Sequence, residues 1–530
     1  MALLPLGYLL LRTLQGGLTA WWEAVATERV VGLAGTSVLL AAVVTAACLV
    51  IGVGGAWLVT RSDVPGRRLF AVLLALPLAV PSYVAAFTWV SVADLWAADP
   101  GTRFEGFTAA AVVLTLYTYP YVYLPVAAAL VRVDPSQEEV ARSLGHGPLQ
   151  TLLTVTLPQV RPAIAGGGLL AALYVLSDFG AVSILRLDTF TRAIFTAFSV
   201  GFNRSLALTL ATLLILLTLV ILWGEGRTRR AGARFTAQRA VRPARALELG
   251  VWRWAGLSAL SAVVLAALGV PAVSLARWII AGTSVSDAWG RLGDAAAGSL
   301  TVSLLGAAVT MLLALPVGIL AARHPGRLSR ALERAAYLAH SLPGVVVGLS
   351  LVFFGVTVAL PLYQTTWMLA LAYATLFLPL GVTAVASAAA QAPPALEETA
   401  AALGTTPVQV FRRVTLPLTL PGIGAGAALV FLTAMKELPA TLMLRPTGMD
   451  TLATRLWSAT AIGRYAEAAP YALVLVALAA VPTWLVVRRT GILPAAGPTE
   501  PTVAVPADRH PLDPDLTATG GPDLLTGVKA

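Results

Sequence analysis

The run Glu138-Glu139-Val140-Ala141-Arg142-Ser143-Leu144-Gly145, continuing to Val155-Thr156-Leu157-Pro158, returns 259 residues later as Glu397-Glu398-Thr399-Ala400-Ala401-Ala402-Leu403-Gly404 and Val414-Thr415-Leu416-Pro417. Pro148 and Pro162 keep the register at Pro407 and Pro421. A repeat at this spacing means that the chain must be read as two copies of one unit. The local chemistry of each copy predicts a helix, a sharp stop and another helix. Asp134 can cap the first helix with Pro135 at its first position, and Gly145 supplies the left-handed residue that ends it. Pro148 and Pro407, the latter behind Thr406 as a cap, suit the start of a second short helix. Leu157-Pro158 and Leu416-Pro417 are expected to break that helix before the next apolar segment.

Outward from these elbows the chain is apolar. Of its 530 residues 58% are hydrophobic and 12% charged, and the mean hydropathy is +0.81, whereas a soluble domain is about a quarter charged. That excludes an ordinary soluble enzyme. Apolar runs long enough to cross a hydrocarbon core of about 30 Å recur throughout. They fall near 32–59, 69–97, 107–131, 163–185 and 205–223, and again near 254–280, 298–322, 335–360, 366–390, 422–444 and 468–487. Met1 to Arg12 is a shorter apolar stretch whose Leu4-Pro5-Leu6 matches Val270-Pro271-Ala272. It reads as a short first span, giving twelve, or eleven without it. No basic region precedes it, so a cleaved signal peptide is not expected.

Arginine gives the orientation. Arg61, Arg67 and Arg68 follow the first full span, Arg323, Arg327, Arg330 and Arg334 occupy the equivalent place, and Arg488 and Arg489 close the last helix. Seven more arginines lie between 225 and 250, against Glu225 and Glu248. All fall on one side of an alternating topology, which is therefore cytoplasmic. The net charge of +10 thus reflects the positive-inside distribution and not a nucleic-acid surface. The chain reads as an all-α polytopic membrane protein: a first module over 1–224, a basic cytoplasmic linker over 225–250, a second module over 251–490, and a tail over 491–530 too poor in apolar residues to fold. A lone cysteine, Cys48, allows no intrachain disulfide, and His146, His324, His340 and His510 form no ligand set.

The repeated elbow resembles the EAA loop of ATP-binding-cassette (ABC) importer permeases: Glu-Ala-Ala, three residues, Gly, nine residues, Ile-x-Leu-Pro. Glu139, Ala141, Gly145, Leu157 and Pro158 fit it, as do Glu398, Ala400, Gly404, Leu416 and Pro417. Val140 and Thr399 replace the middle Ala, and Val155 and Val414 replace Ile. The resemblance implies two tandem six-helix permease modules whose elbows dock on two copies of a separate ABC ATPase subunit, with an extracytoplasmic solute-binding protein delivering cargo. ATP and Mg²⁺ would sit on the ATPase. Consistently, the two lysines, Lys436 and Lys529, lie in no phosphate-cradling Gly-x4-Gly-Lys-Ser/Thr loop.

Three deep ionisable residues remain: Asp178, Lys436 and Glu437. Asp178 and Glu437 are again 259 apart. They can line the pathway, because charges facing lipid are costly. They can equally be local devices, Asp178 capping a break before Phe179-Gly180 and Lys436 pairing with Glu437 near Pro439. A twelve-span transporter driven by an ion gradient would also need such residues. Ser177-Asp178-Phe179-Gly180-Ala181 and Lys436-Glu437-Leu438-Pro439-Ala440-Thr441 resemble the fused permeases of ferric iron importers, whose relatives import thiamine and phosphonates. That resemblance implies ferric iron as cargo and a prokaryotic cell membrane as location.

Overall fold

The computed structural model describes residues 4–15, 17–96, 103–232, 246–282, 285–324, 326–340 and 342–489, and contains no strand among them. The first half runs through α1 (Leu4–Gln15), α2 (Leu18–Val25), α3 (Glu28–Arg61), α4 (Arg67–Leu73), α5 (Ser82–Trp96), α6 (Gly106–Thr118) and α7 (Pro120–Arg132). The elbow follows as α8 (Pro135–Ser143) and α9 (Pro148–Thr151), then α10 (Leu157–Ser177), α11 (Gly180–Ile184), α12 (Phe190–Ser199) and α13 (Arg204–Gly232). The second half repeats this order with α14 (Trp252–Val264), α15 (Val270–Ala281), α16 (Val285–Arg323), α17 (Arg327–His340), α18 (Gly344–Thr357) and α19 (Thr366–Gln391). Its elbow is α20 (Pro394–Ala402) and α21 (Pro407–Val410), followed by α22 (Leu416–Met435), α23 (Pro439–Leu444), α24 (Leu452–Ala461) and α25 (Tyr465–Arg489). The expected tail lies outside the described residues, as do 97–102, between α5 and α6, and 233–245 of the linker.

Among the described residues eight helices are long and apolar enough to cross a membrane, and a ninth span is the pair Arg67–Ala79 and Ser82–Ala93, bent by 98°. Gly344–Thr357 and Tyr465–Val481 are shorter apolar helices in the places of the expected spans at 335–360 and 468–487. The expected short first span at Met1 to Arg12 falls on α1, which is followed by Gly17 at φ +88° and by α2.

Two expectations are corrected. Leu157-Pro158 and Leu416-Pro417 do not break their helices, so the fifth spans begin near 152 and 407 and not at 163 and 422. A π-turn precedes each proline: the Leu157 N–H reaches back to the Leu152 carbonyl, and the Leu416 N–H to that of Phe411. A proline normally clashes with the carbonyl four residues back. The wider turn moves that carbonyl aside and lets the helix continue, and the same device precedes Pro271, where the Val270 N–H reaches Leu265. Those spans also end earlier than expected, at Ser177 and Met435.

The first helix of each half packs on the third span of the other half. The Tyr8 hydroxyl donates to the Phe353 carbonyl at 3.3 Å and lies 2.5 Å from the Thr357 hydroxyl, and Ser91 meets Ser274 at 2.6 Å. Within each half, spans two, four and five close on small residues, the usual way for helices in lipid to approach. A Cβ at Gly167 would stand 2.8 Å from the Val122 Cα, and one at Gly426 would stand 2.4 Å from the Ala384 Cβ. Beyond α13 the described end of the linker is pinned to the first cytoplasmic loop: Leu247 N–H donates to the Arg61 carbonyl at 2.8 Å and Leu249 N–H to Asp63 Oδ1 at 3.0 Å.

Gly167→Leu and Gly426→Leu should each cost on the order of 1–3 kcal/mol through overpacking, whereas Gly424→Leu, with no atom within 4 Å of its Cβ position, should cost little. Thermal unfolding of the detergent-solubilised protein, followed by size-exclusion chromatography, would separate the three.

Candidate functional site

Each elbow is built from its caps inward. Asp134 Oδ1 accepts from the Ser136 N–H at 3.0 Å and Oδ2 from its hydroxyl at 2.7 Å. These bonds hold the Asp134 carboxyl below the usual carboxylate range. At the other end Gly145 takes φ +85° and Gly404 φ +82°. Their N–H groups donate to Arg142 and Ala401, while the next N–H in each copy, of His146 and Thr405, donates to Ala141 and Ala400. This double closure is the Schellman stop, which uses a left-handed residue to turn the chain without leaving carbonyls bare.

The glutamate that binds each elbow to the bundle is the first of each pair. Glu138 is 5% exposed. Its Oε1 accepts from the Thr156 hydroxyl at 2.9 Å and lies 3.6 Å from Arg61 Nη2, and its Oε2 lies 3.5 Å from Arg142. Arg61 also donates to the Leu130 and Val133 carbonyls. The second copy repeats the arrangement: Glu397 Oε1 accepts from Arg323 Nη2 at 2.7 Å and from the Thr415 hydroxyl at 3.0 Å, and Arg323 donates to the Ala392 carbonyl. One carboxylate thus ties the elbow helix to the end of the second span, the end of the fourth and the start of the fifth. The motif directs attention to Glu139 and Glu398 and misses these residues, although Glu138 and Thr156 recur 259 residues on in the same way.

The remaining motif residues divide by face. Glu139 and Glu398 are exposed, Ala141 is buried, Ala400, Leu157, Leu416 and Pro158 are half-buried, and Pro417 is exposed. The open face also carries apolar side chains: Leu144 is 75% exposed and Leu403, its equivalent, 80%, with Val140 and Val408 beside them. Leucines bared at the same place twice, beside a glutamate, form a surface suited to a protein partner.

Across the bundle, the fifth spans stop at Asp178 and Lys436-Glu437. Asp178 Oδ1 accepts from the N–H groups of Ala181 and Val182 at 2.9 and 3.3 Å. Glu437 accepts from those of Ala440 and Thr441 at 2.9 and 3.0 Å, and from the Thr441 hydroxyl at 2.6 Å. Each carboxylate therefore holds the start of the short helix that follows its break. Lys436 points to the other half, its Nζ donating to the Leu78 carbonyl at 3.3 Å, while its own carbonyl accepts from the Tyr83 hydroxyl at 3.2 Å. Among the described residues no group of three or more His, Cys, Asp or Glu side chains converges as a metal site.

The family model described as "Binding-protein-dependent transport system inner membrane component" matches the chain twice, over residues 49–226 and 314–491. The Fe(3+)-transport system permease protein FbpB 2 of Haemophilus influenzae is 37% identical over 487 residues, which cover 91% of this chain and 94% of that protein. The sulfate transport system permease protein CysT of Escherichia coli is 32% identical, with 34% of this chain and 68% of that protein covered. The putative 2-aminoethylphosphonate transport system permease protein PhnV of Salmonella typhimurium is 29% identical, with 36% and 71% covered.

Removing the buried carboxylate leaves Arg61 without its counter-charge, a loss of about 3 kcal/mol. Glu138→Ala should therefore strip amide-exchange protection from α8, whereas Glu139→Ala, on the open face, should leave it unchanged in hydrogen–deuterium exchange of the purified protein.

Proposed function

The chain belongs to the family of binding-protein-dependent transport system inner membrane components, and on that premise we propose that it is the fused two-module permease of an ABC importer for ferric iron. It is a multi-pass transporter subunit of the cell membrane. The observation that carries the coupling part of the reading is the pair of equivalent elbows. Each is clamped to the bundle through Glu138 or Glu397 and bares Leu144 or Leu403 toward the cytoplasm.

In this reading two copies of an ABC ATPase, which hold ATP and Mg²⁺, each receive one elbow. Glu139 and Glu398, with the bared leucines, form the contact. Ala141, Ala400, Gly145 and Gly404 set the elbow's shape, and Leu157, Pro158, Leu416 and Pro417 carry its motion into the fifth spans. A loaded solute-binding protein docks on the opposite face. ATP brings the ATPases and the elbows together, and hydrolysis reopens the halves inward, so that the axis is open to one side at a time. We assign Asp178, Lys436 and Glu437 to the pathway as well, a reading supported by the contacts of Lys436 and Tyr83 between the two halves.

Ferric iron is preferred as cargo because the iron permease matches nearly the whole chain, both modules included. The sulfate and aminoethylphosphonate permeases match about one module's length.

Cells starved for the solute and lacking this gene should lose uptake of radiolabelled ferric iron and keep that of thiamine and aminoethylphosphonate. Loss of one of the organic solutes alone would reassign the cargo. Leu144→Asp with Leu403→Asp should weaken ATPase association about tenfold or more, about 1.4 kcal/mol per decade, without affecting insertion. Co-purification at unchanged stoichiometry would contradict the coupling role.

A further inference from the structure

Helices α12 and α24 are one element present twice. Both are ten residues long and open behind a threonine, Thr189 or Thr451. In both, a serine of the second span holds the first N–H: Phe190 donates to Ser37 Oγ at 3.1 Å and Leu452 to Ser299 Oγ at 2.8 Å. The sixth residue of the element is Phe195 in one copy and Trp457 in the other. Their rings meet edge to face, with centroids 5.7 Å apart and planes at 75°.

In a duplicated fold a residue can touch its own equivalent only where the pseudo-twofold axis passes between them. The Phe195–Trp457 contact therefore lies on the axis that relates the two halves. Each of these helices follows a fifth span that starts at an elbow, so the contact is at the end of the bundle away from the elbows, the outer end. Phe179, 1% exposed, packs against both rings, with centroids 4.8 Å from Phe195 and 6.3 Å from Trp457. Three aromatic rings thus fill the axis there.

We propose that Phe195 and Trp457, wedged by Phe179, are the outer gate of the translocation axis. The proposal rests on the importer reading. An apolar ring contact excludes water and a charged cargo with it, so passage requires α12 and α24 to separate. The fold connects this motion to the fifth spans. The Thr191 hydroxyl donates to the Asp178 carbonyl at 2.6 Å, and the Asp178 carboxylate holds α11, so a shift of α10 carries Phe179 and Phe195 together. In the second half Asp450, ion-paired with Arg445 and Arg455, precedes α24 and its Ser299 contact.

The test uses the permease reconstituted in proteoliposomes with its own ATPase and binding protein, in a Cys48→Ser background. Phe195→Cys with Trp457→Cys, joined by a short cleavable bifunctional thiol reagent, should lower ATP-driven uptake of radiolabelled ferric iron at least tenfold. Cleavage should restore uptake to the rate of the unlinked double variant, and the reagent should not change the rate of either single-cysteine variant relative to that variant untreated. Uptake at the unlinked rate after joining would overturn the gate. If the Cys48→Ser parent, with both rings intact, takes up no iron, the cargo assignment has failed, and the gate is judged by labelling alone. A membrane-impermeant maleimide should then label Trp457→Cys several-fold faster in the vanadate-trapped complex than without nucleotide, and equal rates would overturn the proposal. Trp457→Phe should keep ATP hydrolysis dependent on the binding protein, while Phe195→Ala with Trp457→Ala should raise hydrolysis in its absence. Wild-type dependence in the double variant would count against the gate.

Discussion

Inside a bilayer every polar backbone group must find its partner within the protein, and this chain meets that demand each time it breaks or distorts a span. Where the fifth spans stop, the carboxylates of Asp178 and Glu437 take the N–H groups that the next short helices leave open. Before Pro158, Pro271 and Pro417, a π-turn supplies the preceding N–H with a carbonyl five residues back. The carbonyl of Lys436, exposed by the break, receives the Tyr83 hydroxyl. At these places the protein itself satisfies the irregular backbone.

The two ends of the bundle are held differently. At the elbow end an ion pair, buried in the first copy and half-buried in the second, binds each elbow to three span ends, and the buried one is expensive to break. An elbow held in this way is fastened to its spans. At the outer end α12 and α24 meet through ring contacts, each worth about 0.5–1.5 kcal/mol beyond burial, which is weak enough to be made and lost in a cycle. The exchange of first helices, with Tyr8 on α18 and Ser274 on α5, joins the halves at further places.

Much of this was legible in the sequence, for definable reasons. Hydropathy located the spans because lipid demands long apolar runs, and the elbows were visible because only Gly serves at φ near +85° in a Schellman stop. The continuation through Leu157-Pro158 was not visible, since residue preference treats proline as a breaker and a π-turn leaves no mark in residue type. The choice of Glu138 over Glu139 as the inward residue depends on the phase of α8 against Arg61, which lies 77 residues away in the chain. Arg61 and Arg323 read only as positive-inside residues for the same reason. The run at 335–360 hid the boundary between amphipathic α17 and apolar α18. The equivalence of Phe195 and Trp457 was concealed because the spacing of the halves changes from 259 to 262 between Arg445 and Thr451.

The central claim is that the elbows move together when the partner ATPases bind ATP. Spin labels at Ser143→Cys and Ala402→Cys, equivalent and exposed positions, placed in the Cys48→Ser protein assembled with its ATPase, report their separation by pulsed electron–electron resonance. A distance that shortens in the ATP-bound, hydrolysis-blocked complex and lengthens again after hydrolysis is the expected result. A single distance distribution, unchanged by nucleotide, would contradict the account.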